Sequence, residues 1–182
     1  MQRIPDMKMG WLAVLLTIAT TRLQAGLLGE TVNLSAYFPN ASSVWEAGPN
    51  VVVSAGVEYA GGSFPAYSSS WQIDITDTQI RITDIGGIGF PYGTATFNGW
   101  VLKTLTGPGF LSAAPAADSQ FNPVSISIVN GNELFLNYSG LAGPQFGTSI
   151  IDISVVPVPE PGCLAFTGLA LCGLVMKKRA AA

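Results

Sequence analysis

The chain has 182 residues and a formal net charge of −3, with 8 Lys and Arg against 11 Asp and Glu, and it contains no His. Its two cysteines, Cys163 and Cys172, both lie near the C-terminus. Histidine-based triads and zinc sites are thereby excluded throughout, and thiol mechanisms are excluded from everything upstream of Cys163.

Residues 1–25 read as an export signal. Arg3 and Lys8 supply the positive start, Gly10 to Ala19 is apolar, and Leu23-Gln24-Ala25 ends in the small residue that signal peptidase requires. Cleavage is expected between Ala25 and Gly26. Met7 offers a second start, and Met7-Lys8 gives a better-proportioned signal.

Gly26 to Val156 is long enough for one domain with its own core. Glu30, Glu46, Glu58, Asp74, Asp77, Asp84, Asp118, Glu133 and Asp152 face only Arg81 and Lys103, a net of −7. Such a surface repels nucleic acid and offers it no basic patch.

Strand patterns fill this body. Val32, Leu34, Ala36 and Phe38 alternate along Thr31 to Phe38, and Val51 to Val53 and Val57 to Tyr59 flank Gly56. Trp71, Ile73 and Ile75 alternate with Gln72, Asp74 and Thr76, the period of a half-buried strand. Asp77 and Thr78 then turn the chain into a hairpin partner carrying Ile80, Ile82 and Ile85. Phe97 to Leu105 is a further strand. Asn130-Gly131 joins Ser125–Val129 to Glu133–Tyr138 with the residues of a two-residue type I′ turn. Ser149 to Val156 closes the domain, with Ile151, Ile153 and Val155 on one face. No helical period of useful length intervenes. The expectation is an all-β domain, a β-sandwich or jelly roll of about eight or more short strands, over residues 26–156.

The chemistry open to this body is limited. No nucleophile elbow or phosphate-binding glycine loop is present; Gly87-Ile88-Gly89 followed by Gly93 misses the dinucleotide spacing. Asp74, Asp77 and Asp84 are the candidate carboxylates for a glycosidase pair or a Ca²⁺ site. The plainer reading puts Asp74 on a solvated face and has Asp77 cap the turn. Trp45 and Tyr67 lie in loop-like stretches and are the candidate stacking platforms for a sugar, whereas Trp71 is in phase with the core. No catalytic residue, resident metal or cofactor is expected.

Residues 157–182 have three parts in a fixed order. Pro157, Pro159 and Pro161 keep the first extended and accessible, with Glu160 inside it. Gly162 to Met176 is uncharged and spans about 22 Å as a helix, short for a bilayer. Lys177, Lys178 and Arg179 follow as a membrane stop that favours the cytoplasmic side.

Val158-Pro159-Glu160-Pro161-Gly162, the short apolar helix and the basic cluster together resemble the PEP-CTERM sorting signal. The resemblance covers about the last 25 residues; Cys163 and Cys172 inside the apolar run and the three alanines after the cations depart from the commonest form. It implies an exported protein of a Gram-negative bacterium, anchored in the membrane through its tail until an enzyme of the exosortase type processes it. It also implies residence at the cell surface or in an extracellular matrix or biofilm. Gly56-Val57-Glu58-Tyr59, Trp71 to Ile75, Ile80-Arg81-Ile82 and Phe97 to Val101 look like a pattern recurring in other such proteins, one that carries no assigned activity. A structural surface protein is therefore the first expectation, a binder of extracellular polysaccharide the second, and a carboxylate-dependent hydrolase the third.

Overall fold

In the computed structural model the described residues are 26–64, 70–87 and 90–157. Their strands in chain order are β1 (Thr31–Tyr37), β2 (Val44–Val52), β3 (Trp71–Ile75), β4 (Gln79–Asp84), β5 (Phe90–Pro91) and β6 (Gly99–Thr104). Then come β7 (Phe110–Pro115), β8 (Ser125–Val129), β9 (Glu133–Asn137), β10 (Ala142–Gly143) and β11 (Thr148–Val155). The described residues contain no helix, and the fold is all-β.

Two antiparallel sheets carry the body. One has the order β2-β1-β6-β9-β8 and the other β3-β4-β11-β7, with β5 and β10 forming a short separate ladder. Alternation decides which side chains go inward. Along β3 and β4 the residues Trp71, Ile73, Ile75, Ile80 and Ile82 are buried, while Gln72, Asp74, Gln79 and Arg81 turn outward. Ile85 breaks the expected phase, three residues after Ile82 instead of two, and is 43% exposed.

One apolar cluster draws on both sheets. Val32, Leu34, Trp100, Leu102, Leu134 and Leu136 come from the five-stranded sheet, and Ile73, Ile80, Ile82, Ile151 and Ile153 from the four-stranded one. Through this cluster runs a chain of rings. Tyr59 meets Phe64 at 5.5 Å, Phe64 meets Trp100 at 4.9 Å, Trp100 meets Trp71 at 6.1 Å, and Trp71 meets Tyr92 at 6.3 Å. Tyr92 then stacks on Tyr138 at 4.9 Å. The edge-on pairs among them add about 1 kcal/mol each beyond their buried area.

Four expectations needed correction. The segment Val57 to Tyr59 is not a strand; only Tyr59 pairs, as a single bridge to Ile73. Strand β7 was not foreseen, because Phe110 alone among its six residues is buried and no alternation marks it. β2 begins at Val44, well before the expected Val51, and this edge strand is exposed along most of its length. Finally, Val129 pairs with Glu133, so Asn130 to Asn132 form a three-residue connection, with φ 53° at Asn130 and 74° at Gly131.

Two irregularities mark β2. Between Asn33 and Ser35 its register moves from Asn50 to Ala47, and between Ala36 and Tyr37 it moves from Glu46 to Val44. Each inserts one extra residue on β2, the second insertion being Trp45. Pro49 falls at the first, where a missing N–H is tolerated at a sheet edge.

Both ends of the body reach the turn between β3 and β4. The N–H of Leu28 donates to Asp77 Oδ1 at 2.7 Å, the N–H of Ile153 to the Thr78 carbonyl at 2.8 Å, and the N–H of Val156 to the Gly109 carbonyl at 2.8 Å.

Candidate functional site

The three candidate carboxylates do not form a site. Asp74 lies opposite Arg81, and Asp84 opposite Trp71, in the β3–β4 ladder. Three ladder steps, about 10 Å, separate the two positions along the strands. Their parity also differs: Asp74 faces outward with Gln72, whereas Asp84 faces inward with Ile80 and Ile82 and is 1% exposed. Asp77 stands at the opposite end of the hairpin, with its carboxylate committed to Leu28. Among the described residues no group of three or more metal-binding side chains comes together. Asp77 does not cap its own turn either. Thr76 Oγ1 does so, accepting the N–H of Gln79 at 3.0 Å and of Thr78 at 3.4 Å.

Asp84 has a structural use that sequence alone did not reveal. Its Oδ1 accepts the N–H groups of Gly86 and Gly87, each at 3.1 Å, and its Oδ2 accepts the N–H of Phe146 at 3.2 Å. A buried carboxylate is tolerated when such donors converge on it. It thereby joins the segment after β4 to the one before β11. Phe146 is held at φ 54°, an unusual conformation for a bulky residue, and its ring lies 65% exposed over Gly87.

Trp45, expected in a loop, instead occupies a strand. As the extra residue of a β-bulge it is turned out of the pleat, 56% exposed and edge-to-face with Phe38 at 5.7 Å. A bulge on a polar edge strand leaves no period to read, which is why the sequence suggested a loop.

A second aromatic group sits on the outer face of the five-stranded sheet. Tyr37, Phe97 and Phe135 pack mutually at 5.8–6.4 Å and bury Val101 completely. Beside them Lys103 Nζ and Glu133 Oε1 are 2.7 Å apart. The bond to Glu133 raises the lysine above its ordinary range, with the neighbouring Tyr37 hydroxyl acting in the same direction. This small outer core was missed. Its signal was Tyr37, Val101 and Phe135 recurring at the positions that otherwise face solvent.

Tyr67, Ala25, the Pro159-Glu160-Pro161 motif and the Lys177, Lys178 and Arg179 cluster all lie outside the described residues. So do the signal segment and the apolar run from Gly162 to Met176. Among the described residues no helix is long and apolar enough to cross a membrane.

Comparison of the chain with family models, curated proteins and solved structures returns no match.

Proposed function

We propose that this is an exported β-sandwich protein, sorted through its C-terminal tail and serving as a non-catalytic structural component of the cell surface or extracellular matrix. One observation carries the reading. Pro159-Glu160-Pro161, the uncharged run from Gly162 to Met176 and the Lys177-Lys178-Arg179 cluster follow one another in the order of a PEP-CTERM signal, on a chain that opens with an export segment. The division of labour is physical. The apolar run and cations stall the chain in the membrane, and the rigid acidic motif just outside is where a membrane enzyme of the exosortase type reads it. Signal peptidase acts at the other end, between Ala25 and Gly26.

The carboxylates singled out for a hydrolase do not meet in the body. Its core-facing Asp84 serves three backbone donors, and Asp74 faces away on the other side of the same sheet. The Glu160→Ala chain is expected to stay membrane-bound with its C-terminal segment attached. Mass spectrometry of the cell-associated protein decides it, and normal removal of the segment in Glu160→Ala overturns the sorting reading.

A second reading, recognition of extracellular polysaccharide, is favoured by Trp45. An exposed indole fixed by a bulge and by Phe38 is a surface on which a sugar ring can stack. A glycan array on the wild-type chain and on Trp45→Ala tests it. Binding that survives Trp45→Ala places the site elsewhere, and no binding by the wild type removes the reading.

A further inference from the structure

We infer that removal of the export signal creates an ion pair, the new α-ammonium group of Gly26 with the carboxylate of Asp77, that docks the start of the mature chain onto the β3–β4 turn. This rests on cleavage between Ala25 and Gly26. Hydrolysis breaks that amide bond, water supplying the hydroxyl to the Ala25 carbonyl and a hydrogen to the Gly26 nitrogen. The amine then takes up a proton at neutral pH, because an α-amino group titrates near 7.7–8.0.

The geometry places the partner in advance. Gly26 is packed so closely on Asp77 that a Cβ at position 26 would overlap the Asp77 carboxyl group. Its nitrogen is one bond of about 1.5 Å from that Cα, within reach of the same carboxylate. Two residues on, the N–H of Leu28 donates to Asp77 Oδ1 at 2.7 Å, which fixes the carboxylate toward the strand start. Leu27 between them is fully buried, so the segment is held on both sides of the contact.

Carboxylates of the flanking segments are engaged elsewhere, Asp152 among them, which accepts the Gln79 side chain at 2.8 Å. Glu30 accepts the Thr106 hydroxyl at 2.8 Å, and Glu58 accepts the N–H groups of Ser54 and Ile75 at 2.8 and 2.7 Å. Before cleavage the Gly26 nitrogen is a neutral amide. Afterwards it is a cation, and the attraction of two opposite charges is added to the bond that an amide N–H could already give the carboxylate. Export processing therefore tightens the domain at the same turn that accepts the Ile153 N–H.

The test begins with N-terminal sequencing of the exported protein. A first residue other than Gly26 overturns the cleavage reading. The chain from Gly26 to Ala182, held in detergent, is then compared with a free and with an acetylated α-amine, in the wild type and in Asp77→Asn. Acetylation restores a neutral amide without adding bulk in the core. It is expected to lower the wild-type midpoint by about 2–6 °C and the Asp77→Asn midpoint by much less. An equal shift in the two backgrounds, or no shift in the wild type, overturns the ion pair while leaving the cleavage site intact.

Discussion

The hydroxyl of Tyr59 accepts the backbone N–H of Leu34 at 2.8 Å, a buried polar tie between the two sheets. The Tyr59 backbone pairs with Ile73 at the edge of β3, while Leu34 belongs to β1 in the opposite sheet. The same hydroxyl donates to the Pro49 carbonyl at 3.1 Å, so it fills the gap that the first bulge opens between β1 and β2. Tyr138 makes a comparable tie, its hydroxyl 2.8 Å from that of Ser149 on β11.

Replacing Tyr59 by Phe leaves a buried N–H and a carbonyl without the partner that bridges them. The expected loss is about 1–3 kcal/mol, read by chemical denaturation. Burial pushes the Tyr59 hydroxyl up to about 12 from its ordinary 10.0, with Leu34 opposing and Glu58 adding to the shift. The unfolded chain therefore releases this proton first. The stabilisation is complete below about pH 10 and is lost as pH rises toward 12. Burial shifts Tyr138 the same way, so Tyr59→Phe is expected to flatten the alkaline decline only in part.

Two glycine substitutions should separate strain from collision. A Cβ at Gly131 meets nothing within 4 Å, so Gly131→Val costs only the strain of φ 74°, about 1 kcal/mol. At Gly99 a Cβ would overlap the Leu136 carbonyl oxygen of the neighbouring strand, and no flexible side chain is there to yield. Gly99→Ala is expected to cost about 3 kcal/mol. Thermal denaturation of both variants checks the ranking.

Phe146 and Asp84 predict opposite signs. Phe146→Asn places a residue that tolerates positive φ where Phe is strained, and it gives up little buried area because the ring is 65% exposed. It is expected to stabilise the body by up to about 1 kcal/mol. Asp84→Ala removes the acceptor of three N–H groups and should destabilise by about 3 kcal/mol. A melting midpoint that falls in Phe146→Asn would mean that the ring's seat on Gly87 outweighs the backbone strain.

For the Lys103–Glu133 pair the expectation is small. With side chains 34% and 21% exposed, Lys103→Met should cost less than about 1 kcal/mol, and the difference should shrink in 1 M salt. The lysine is raised, so any contribution is present below its ordinary range near 10.4 and fades above it. Denaturation at two salt concentrations measures it.

What could be read from the sequence was whatever alternation could announce. Trp71, Ile73, Ile75, Ile80 and Ile82 mark their strands because one face of that hairpin is buried and the other wet. Asn130-Gly131 marked a turn because few other residues accept positive φ in succession. The edges stayed hidden. β7 and β2 keep few inward-facing side chains, and the bulges on β2 reset its period twice in nine residues. The candidate site failed for a different reason. Asp74 and Asp84 are separated by an even number of residues, which within one strand would put them on one face, but the turn interrupts it and only the register shows that they face opposite sides.

The strand that leads toward the tail also decides how the body bears a load. β11 lies between β4 and β7, hydrogen-bonded to both, and it is the last strand among the described residues. Its opposite end, at Thr148, follows the exposed Phe146, beyond the far end of the hairpin from Asp77. A pull on Val156 resisted at the far ends of β4 and β7 acts along the strands, across bonds that run perpendicular to them. The two ladders of β11 would then have to slide past their neighbours together instead of opening one rung at a time. Pulled at Val156 and held at the far ends of β4 and β7, the sheet is loaded in shear along both ladders of β11.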